Sequence, residues 1–456
     1  MSQIRTGLTA AQKWVDARFP FTSQWKAHLS EYYAPKNFNF WYFFGGLLLL
    51  VLVNQIVTGI FLTMHYKPDA TLAFASVEYI MRDVPFGWLI RYMHSTGASL
   101  FFVCIYLHMF RGLLYGSYRK PRELIWIFGM LIFLSLMGEA FFGYLLPWGQ
   151  MSYWGAQVII NLFNALPIIG PDLSTWIRGD FVVSDATLNR FFAFHVIAIP
   201  LALLGLVAAH ILALHEVGSS NPDGIEIKAH KDPVTHIPLD GIPFHPYYTV
   251  KDSFGAAVFL LVFAVIVFYG PEMGGYFLEA NNFIPADSLK TPPEIAPVWY
   301  FTPYYSILRS VTSNFMWIIR LGVLLLAGLT FLSVRITWVR LGVIAVAAVL
   351  LILSWALDPK VWGVGMMGMS TMIFFLMPWL DQSPVKSIRY KGPLFKTALT
   401  VWVIAFLVLG YLGTKGVSDV RTLVAQVFTM LYFAFFLFMP WYTKMDKTKP
   451  VPERTT

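Results

Sequence analysis

The sequence is poor in charged residues and contains only one cysteine. Charged side chains make up 13% of the 456 residues, about half of the roughly 25% typical of a soluble domain, while 57% of the residues are hydrophobic. This composition excludes an ordinary soluble globular protein and is typical of an integral membrane protein. Cys104 stands alone, so no internal disulfide framework is available to hold the fold together.

Long apolar runs are what the sequence has in abundance. A helix of about 17–25 residues crosses the hydrocarbon core of a bilayer, and ten segments meet this requirement. The stretch at 150–166 is apolar but short and broken, and we interpret it as a surface or re-entrant helix. The sequence therefore predicts an all-α polytopic membrane protein. Its ten predicted transmembrane helices lie near residues 40–65, 88–114, 124–146, 188–214, 252–270, 314–334, 341–357, 361–380, 398–414 and 421–442.

The positive charge is concentrated in particular loops. Basic clusters follow the second, eighth and tenth predicted spans, and Arg335 and Arg340 separate the sixth from the seventh. Cytoplasmic loops of membrane proteins carry an excess of Lys and Arg, and all these loops fall on one side if ten spans alternate. The pattern predicts cytoplasmic N- and C-termini. It also accounts for the net charge of +8 without a nucleic-acid partner.

Four histidines form two long-spaced pairs inside apolar segments, with His94 and His108 on the second predicted span and His195 and His210 on the fourth. Such offsets rotate a helical position by only about −40° and about +60°, and move it about 21–22 Å along the axis. Although a lone histidine is usually structural, two helices packed side by side would present two His/His couples at two depths. Because a haem iron takes two axial ligands, the spacing predicts two haems, one for each couple. A metal-only site would need its ligands clustered.

Two pairs of glycines share the 14-residue interval of the first histidine pair. Glycine destabilises helices, so this use predicts close approach of a flat macrocycle to the helix backbones, with helix–helix packing as the alternative. Arg91 and Arg111 each lie three residues from a histidine, where they could pair with haem propionates or snorkel to lipid headgroups. The glycines are Gly45 and Gly59 on the first predicted span, and Gly129 and Gly143 on the third.

Several continuous motifs resemble one family, cytochrome b, the membrane subunit of ubiquinol–cytochrome c oxidoreductase in its bacterial form. The resemblance runs from about Trp25 to Trp441. The matching stretches are Gly-Trp-Leu-Ile-Arg-Tyr-Met-His at 87–94, Arg-Gly-Leu-Leu-Tyr-Gly-Ser-Tyr at 111–118, Gly-Tyr-Leu-Leu-Pro-Trp-Gly-Gln-Met-Ser-Tyr-Trp-Gly at 143–155, His-Glu-Val-Gly-Ser-Ser-Asn-Pro at 215–222, Trp-Tyr-Phe at 299–301 and Ile-Leu-Arg-Ser at 307–310.

The resemblance implies an N-terminal four-helix bundle that encloses two haems b. His94 and His195 would hold the haem near the outer, periplasmic face, and His108 and His210 the haem near the cytoplasmic face. The offset of 15 in the second pair departs from the 14 usual in mitochondrial relatives. A proline kink or local overwinding at Pro200 is expected to absorb the extra residue.

The resemblance also implies the reaction and the partners. Ubiquinol would be oxidised at the outer face, with one electron passing to a Rieske iron–sulfur subunit and on to a c-type cytochrome. The other electron would cross the two haems and reduce quinone at the cytoplasmic face, coupled to proton translocation. The expected setting is a homodimeric complex embedded in the lipid bilayer of the bacterial inner membrane. Iron–sulfur and haem c ligands are absent from this sequence, so those partners are implied by the family alone.

The outer quinol site would be walled by Tyr144, the segment 147–156 and the loop 293–301, which includes Tyr300. Quinol oxidation releases protons, so a base must reach the site. The family pattern Pro-Glu-Trp-Tyr is here Pro-Val-Trp-Tyr at 297–300, and valine accepts no proton. We therefore expect Glu294, four residues before the valine, to take over this role, with a solvated loop carboxylate as the alternative.

The resemblance places the inner, quinone-reducing site at His215, Lys251 and Asp252, with Ser219 nearby. A histidine and a carboxylate on opposite sides of a quinone ring could hydrogen-bond its carbonyls and deliver protons. The Lys251–Asp252 pair could instead be an ordinary interfacial cap of the fifth span.

The chain contains an extra apolar hairpin, at about 314–357, compared with relatives that have eight spans. The sequence does not give the role of this hairpin. We predict a dihaem-binding helical domain over residues 1–224 and a helical domain over 225–456 that completes the quinone sites.

Two other functions are compatible with intramembrane histidines. A dihaem membrane anchor of another oxidoreductase would have one quinone site, and a proton-coupled transporter would bind no haem.

Overall fold

The computed structural model describes residues 2–455, apart from the side chains of residues 2–8 and 28. Within that range, ten helices are long and apolar enough to cross a bilayer, which confirms the predicted all-α polytopic fold and its number of spans. These spans, called first to tenth below, are Phe40–Thr63, Gly87–Tyr115, Glu123–Leu145, Asp185–Val217, Phe244–Tyr269, Phe315–Ser333, Thr337–Ala356, Pro359–Leu380, Pro393–Gly413 and Asp419–Leu437.

Shorter elements connect the spans. The helix Gln150–Phe163 confirms the short helix predicted near 150–166, although much of it is buried. The strands Tyr33–Pro35 and Gly241–Pro243 pair antiparallel and tie the N-terminal segment to the loop before the fifth span. The other short helices are Ser2–Asp16, Phe21–Trp25, Ala73–Arg82, Gly170–Arg178, Thr302–Ser310 and Met439–Met445, with 3₁₀ turns at Ile227–Ala229, Met273–Gly275, Ala280–Phe283 and Trp299–Phe301.

The first four spans form a bundle in which the first packs along the second and the fourth along the third. An aromatic core joins this bundle to the last spans through buried residues such as Phe102, Phe133 and Tyr432. Because lipid tails are as apolar as these side chains, it is their close packing that holds the two halves of the chain together within the membrane. The division at residue 224 stays a prediction.

The sixth and seventh spans form the predicted hairpin, with its turn at 334–336. Arg320 of the sixth span donates to the backbone carbonyl of Ser354 in the seventh at 2.7 Å, which satisfies a charged group that would otherwise face hydrocarbon. At the turn, the indole N–H of Trp441 donates to the hydroxyl of Ser333 at 2.7 Å. The hairpin is therefore tied to the rest of the chain near its turn, and at its other end Phe315 and Met316 form one apolar cluster with Trp362 and Met366 of the eighth span.

Candidate functional site

The four predicted histidines come together as two facing pairs. The ring centroids of His94 and His195 are 6.2 Å apart, and those of His108 and His210 are 6.3 Å apart. We name them the outer pair and the inner pair, after the sides that the sequence predicts. A metal–nitrogen bond is about 2 Å and a ring nitrogen lies about 1 Å from its ring centre, so two rings sharing one metal have centroids about 6 Å apart. Both pairs therefore fit two axial imidazoles on one haem iron.

Backbone carbonyl groups orient both histidines of the fourth span. Nδ1 of His195 lies 3.0 Å from the carbonyl oxygen of Glu139, and Nδ1 of His210 lies 3.0 Å from that of Ile125. A carbonyl oxygen can only accept, so the hydrogen of each ring is on Nδ1. The lone pair of Nε2 is then available for a metal.

The first span orients His94 in a similar way. Nδ1 of His94 lies 2.9 Å from the hydroxyl of Thr58, and that hydroxyl donates its own hydrogen to the backbone carbonyl of Asn54 at 2.6 Å. The Thr58 oxygen therefore accepts from Nδ1. The amide of Gln55 also donates to the backbone carbonyl of His94 at 3.1 Å, which fixes the helix that carries the ring.

Each of the four predicted glycines faces one histidine ring. A Cβ at three of these positions would lie 3.3–3.4 Å from Cε1 of the facing ring, and at Gly143 it would collide with the imidazole. The glycines therefore make room for the imidazoles, and the approach of a macrocycle expected from the sequence stays a prediction. The facing residues are Gly45 and His108, Gly59 and His94, Gly129 and His210, and Gly143 and His195.

The two predicted arginines lie beside the two pairs. Arg91 lines the same cavity as the outer pair. Arg111 donates to the backbone carbonyl of Ser220 at 3.1 Å, and its guanidinium carbon lies 4.9 Å from the ring centre of Tyr115. Its Nε is buried and has no protein partner among residues 2–455. An orphaned buried donor of this kind suits a carboxylate such as a haem propionate.

The fourth span absorbs its extra residue by underwinding. Residues Phe194–Ala198 form a π-helical turn in which the N–H of Ile199 donates to the carbonyl of Phe194. A π turn accommodates one residue more than an α-helical turn, and His195 itself lies in it. The expected overwinding at Pro200 is therefore wrong: the turn before this proline is wider than an α-helix.

One cavity contains both the outer pair and part of each predicted wall of the outer quinol site, since Pro147 is its only lining residue from the segment 147–156. Its lining includes Tyr144 at the end of the third span, and Val298 and Tyr300 from the loop before the short helix Thr302–Ser310. The ring of Tyr300 stacks on Phe102, with centroids 3.8 Å apart, and its backbone carbonyl accepts from the hydroxyl of Tyr106 at 2.6 Å. The loop wall is therefore held firmly against the second span.

Glu279 is a neighbour of this cavity rather than part of its lining: it follows the lining residue Leu278 in the chain, and its carboxylate is hydrogen-bonded to the lining residue Tyr144. The hydroxyl of Tyr144 donates to Oε2 of Glu279 at 2.9 Å. Burial raises the pKa of Glu279 to about 7, although the hydrogen bond from Tyr144 opposes this increase. A carboxyl group with such a pKa can exchange protons near neutral pH.

Glu294 lies outside this cavity. Its side chain is exposed, and a Cβ at Gly416 would lie 2.6 Å from its Oε1. The segment from Glu294 to Val298 has no regular structure, and four extended residues span up to about 13 Å. Glu294 is not among the residues that line the cavity, and its role stays a prediction.

The predicted inner-site residues lie in two neighbouring groups. Tyr32 joins the first group, because its ring stacks on His215 with centroids 4.7 Å apart and its hydroxyl lies 3.3 Å from that of Ser219. In the second group, Nζ of Lys251 lies 4.4 Å from the ring centre of Tyr247, next to Asp252 at the start of the fifth span. The paired strands bring Tyr32 to this place.

Four polar residues of these sites were missed from the sequence. Glu139 carried a recognisable signal, since a carboxylate inside an apolar span is usually functional. Thr58, one residue before Gly59, could have been found from the glycine interval. Glu279 and Tyr32 carried no signal, because both lie in irregular segments that reach the sites only through the tertiary fold.

Comparison with known proteins identifies the family of the chain. A family model described as cytochrome b/b6/petB matches residues 29–218, and one described as cytochrome b (C-terminal)/b6/petD matches residues 285–357 and 348–433. The chain is 59% identical to cytochrome b of Allochromatium vinosum, over 97% of each chain, and 43% identical to cytochrome b of Rickettsia bellii, over 98% of each.

A solved structure of a hyperthermophilic respiratory Complex III contains a chain of the same fold. It superposes with a TM-score of 0.79 at 35% identity, covering 95% of this chain and 98% of the other. The matches to these relatives cover nearly the full length of the chain. The chain belongs to the cytochrome b family, as the bacterial membrane subunit of a quinol–cytochrome c oxidoreductase.

Proposed function

We propose that the outer and inner pairs each bind one haem b non-covalently, and that the chain carries electrons across the bacterial inner membrane between two quinone sites. When bound, haem supplies a reversible one-electron carrier at each depth. His94 and His195 would hold one haem, and His108 and His210 the other, through Nε2. Arg91 and Arg111 would pair with the propionates. The glycines at the 14-residue interval keep the four imidazoles in place.

We further propose that ubiquinol is oxidised in the outer cavity, between Tyr144 and Tyr300. Oxidation to quinone removes two electrons and two protons, and the cavity must accept the protons. Glu279 is favoured as the acceptor, because its carboxylate is hydrogen-bonded to Tyr144 and its pKa lies near neutrality. Glu294, the acceptor expected from the sequence, is exposed and is not among the lining residues.

Quinone reduction is proposed for the opposite end of the bundle. His215 and Asp252 would hydrogen-bond the quinone carbonyls and supply protons. The imidazole of His215 is oriented by stacking on the Tyr32 ring. Ser219 and Lys251 would complete the polar lining. Proton uptake at this end and release at the outer cavity would couple electron transfer to proton translocation.

The partners follow from the same proposal. The outer site would pass one electron to a Rieske iron–sulfur subunit and then to a c-type cytochrome, in a complex that contains two copies of the chain. The relatives named above support the respiratory setting, and the basic loops support cytoplasmic N- and C-termini.

The observation that carries this proposal is the single cavity shared by the outer pair, Tyr144 and Tyr300. The test is a pyridine haemochromogen assay on the purified complex, followed by reduction with a ubiquinol analogue. We expect two haems b per chain, with reduction through the outer cavity blocked by an outer-site inhibitor.

Two results would redirect the proposal. Two haems whose reduction is insensitive to every outer-site inhibitor would favour a dihaem anchor with one quinone site. A folded chain without a Soret band would favour the proton-coupled transporter. His195→Asn provides an internal control, because it should remove the outer haem and leave the inner one.

A further inference from the structure

Glu139 places a carboxylate against a histidine in the middle of an apolar span. Its Oε1 lies 3.0 Å from Nδ1 of His195, and both side chains are less than one-fifth exposed. Its other oxygen, Oε2, is buried without a hydrogen-bond partner in the part of the chain that the structure describes. A buried carboxylate is expensive unless a positive or donating group compensates it. The feature therefore needs a local explanation.

The inner pair provides an internal control for this contact. Glu139 lies four residues before Gly143, and Ile125 lies four residues before Gly129. Both residues offer their backbone carbonyls to a histidine Nδ1 at 3.0 Å. The two sites thus share the glycine, the histidine and the carbonyl acceptor. At this position they differ only in the side chain, which is a carboxylate at the outer pair and an isoleucine at the inner pair.

The same contrast occurs on the first span. Thr58 precedes Gly59 and contacts Nδ1 of His94 at 2.9 Å, whereas the corresponding residue 14 positions earlier, before Gly45, is Phe44. The outer pair therefore has a polar side chain at both positions where the inner pair has an apolar one. The difference is systematic, and the carboxylate is its only ionisable member.

We propose that Glu139 lowers the reduction potential of the haem bound by the outer pair relative to the haem bound by the inner pair. A carboxylate next to Nδ1–H makes an imidazole a stronger donor to its metal. A negative charge close to the site in a medium of low dielectric also favours the more positive, oxidised iron. Glu139 acts through His195 and is therefore a positioning residue. The inference rests on the proposed haem binding by this pair.

The test is a redox titration of both haems b in the purified complex that carries Glu139→Gln, without substrate turnover. The outer component is assigned as the one that disappears in His195→Asn. We expect it to move to higher potential by about 59 mV, which is a tenfold change for a one-electron couple, while the inner component stays in place. Glu139→Asp retains the charge and should restore most of the original potential.

Glu123→Gln is the matched control, because Glu123 begins the same span and contacts neither histidine pair. An unshifted outer component in Glu139→Gln with both haems present would overturn the inference, as would an equal shift in Glu123→Gln. A shift accompanied by a changed low-spin ferric EPR signal would indicate altered ligation and would also overturn it. Absence of haem from the folded wild-type complex would instead refute the proposed function.

Discussion

The outer and inner pairs are built on one scaffold, repeated after 14 or 15 residues, but their polar surroundings differ. Around the outer pair, Glu139 and Thr58 contact the rings directly, and Glu279 reaches the shared cavity through Tyr144. Beyond the inner pair, several charged groups pair with one another. The guanidinium of Arg122, for example, binds both carboxylate oxygens of Glu226 at 2.6 and 2.7 Å.

These ion pairs connect several loops at the inner end. Lys386 also binds Glu226 at 2.7 Å. The pKa of that carboxyl is lowered, because Arg122 and Lys386 together outweigh the opposing effect of burial. Asp381 accepts from Lys391 at 2.5 Å and from Tyr118 at 2.6 Å. Buried charges joined in this way bind the loops after the second, fourth and eighth spans to one another. The comparison shows that several buried charges at the inner end join loops to one another, whereas Glu139 at the outer end contacts a histidine ring directly.

The largest loss of haem and activity should come from adding a methyl group at a glycine that faces a histidine ring, and it should differ between the outer and the inner pair. Gly143→Ala puts a Cβ into the His195 ring, whereas Gly129→Ala puts one 3.4 Å from His210, which small shifts can accommodate. We therefore expect Gly143→Ala to lose the outer haem and nearly all turnover, while Gly129→Ala retains both haems. The number of haems per chain in each variant is measured with a pyridine haemochromogen assay. Retention of two haems in Gly143→Ala would show that the fourth span can move away, and that the scaffold is less rigid than its geometry indicates.

The next largest effect is expected on the rate of quinol oxidation, when a carboxylate near the outer cavity is replaced by an amide. Glu279→Gln keeps the hydrogen bond to Tyr144 but removes the proton acceptor, so quinol oxidation should fall by about 100-fold, within the usual range for a lost general base. Glu294→Gln should change it less than twofold, on the basis of its exposed position. Steady-state reduction of cytochrome c by the two complexes measures the difference.

The pH profile provides the control for Glu279. A base accepts a proton only when it is ionised, so the wild-type rate should fall as the pH drops below about 7, the pKa that burial gives to this carboxyl. In Glu279→Gln this inflection should be absent. A normal rate in Glu279→Gln together with a large loss in Glu294→Gln would assign the role to Glu294 and require the loop to refold on binding quinol.

The comparison also shows which features a sequence can reveal. The histidines and glycines were predictable, because an interval of 14 residues on a helix fixes both the face and the depth of a side chain. The pairing of each glycine with a particular ring was not, since it depends on which span packs on which. Glu139 was visible as a carboxylate in an apolar run, but its contact with His195 required the packing of the third span against the fourth. Glu279 owes its burial to an irregular loop without periodicity.

The smallest effect should come from Tyr32, which the paired strands bring to the inner site. Tyr32→Leu removes the ring stacked on His215, an interaction of about 0.5–1.5 kcal/mol, so the apparent affinity for quinol should weaken about 2- to 10-fold. Tyr32→Phe keeps the stack and loses only the 3.3 Å contact with Ser219, so we expect less than about a threefold change. For both variants, the rate at which quinol bound at the inner site reduces the inner haem is measured. An outer-site inhibitor is present to block electron transfer from the outer site. If Tyr32→Phe were the more damaging variant, the hydroxyl would contact the quinone itself, and the inner end would resemble the outer end in directing a tyrosine hydroxyl at its substrate.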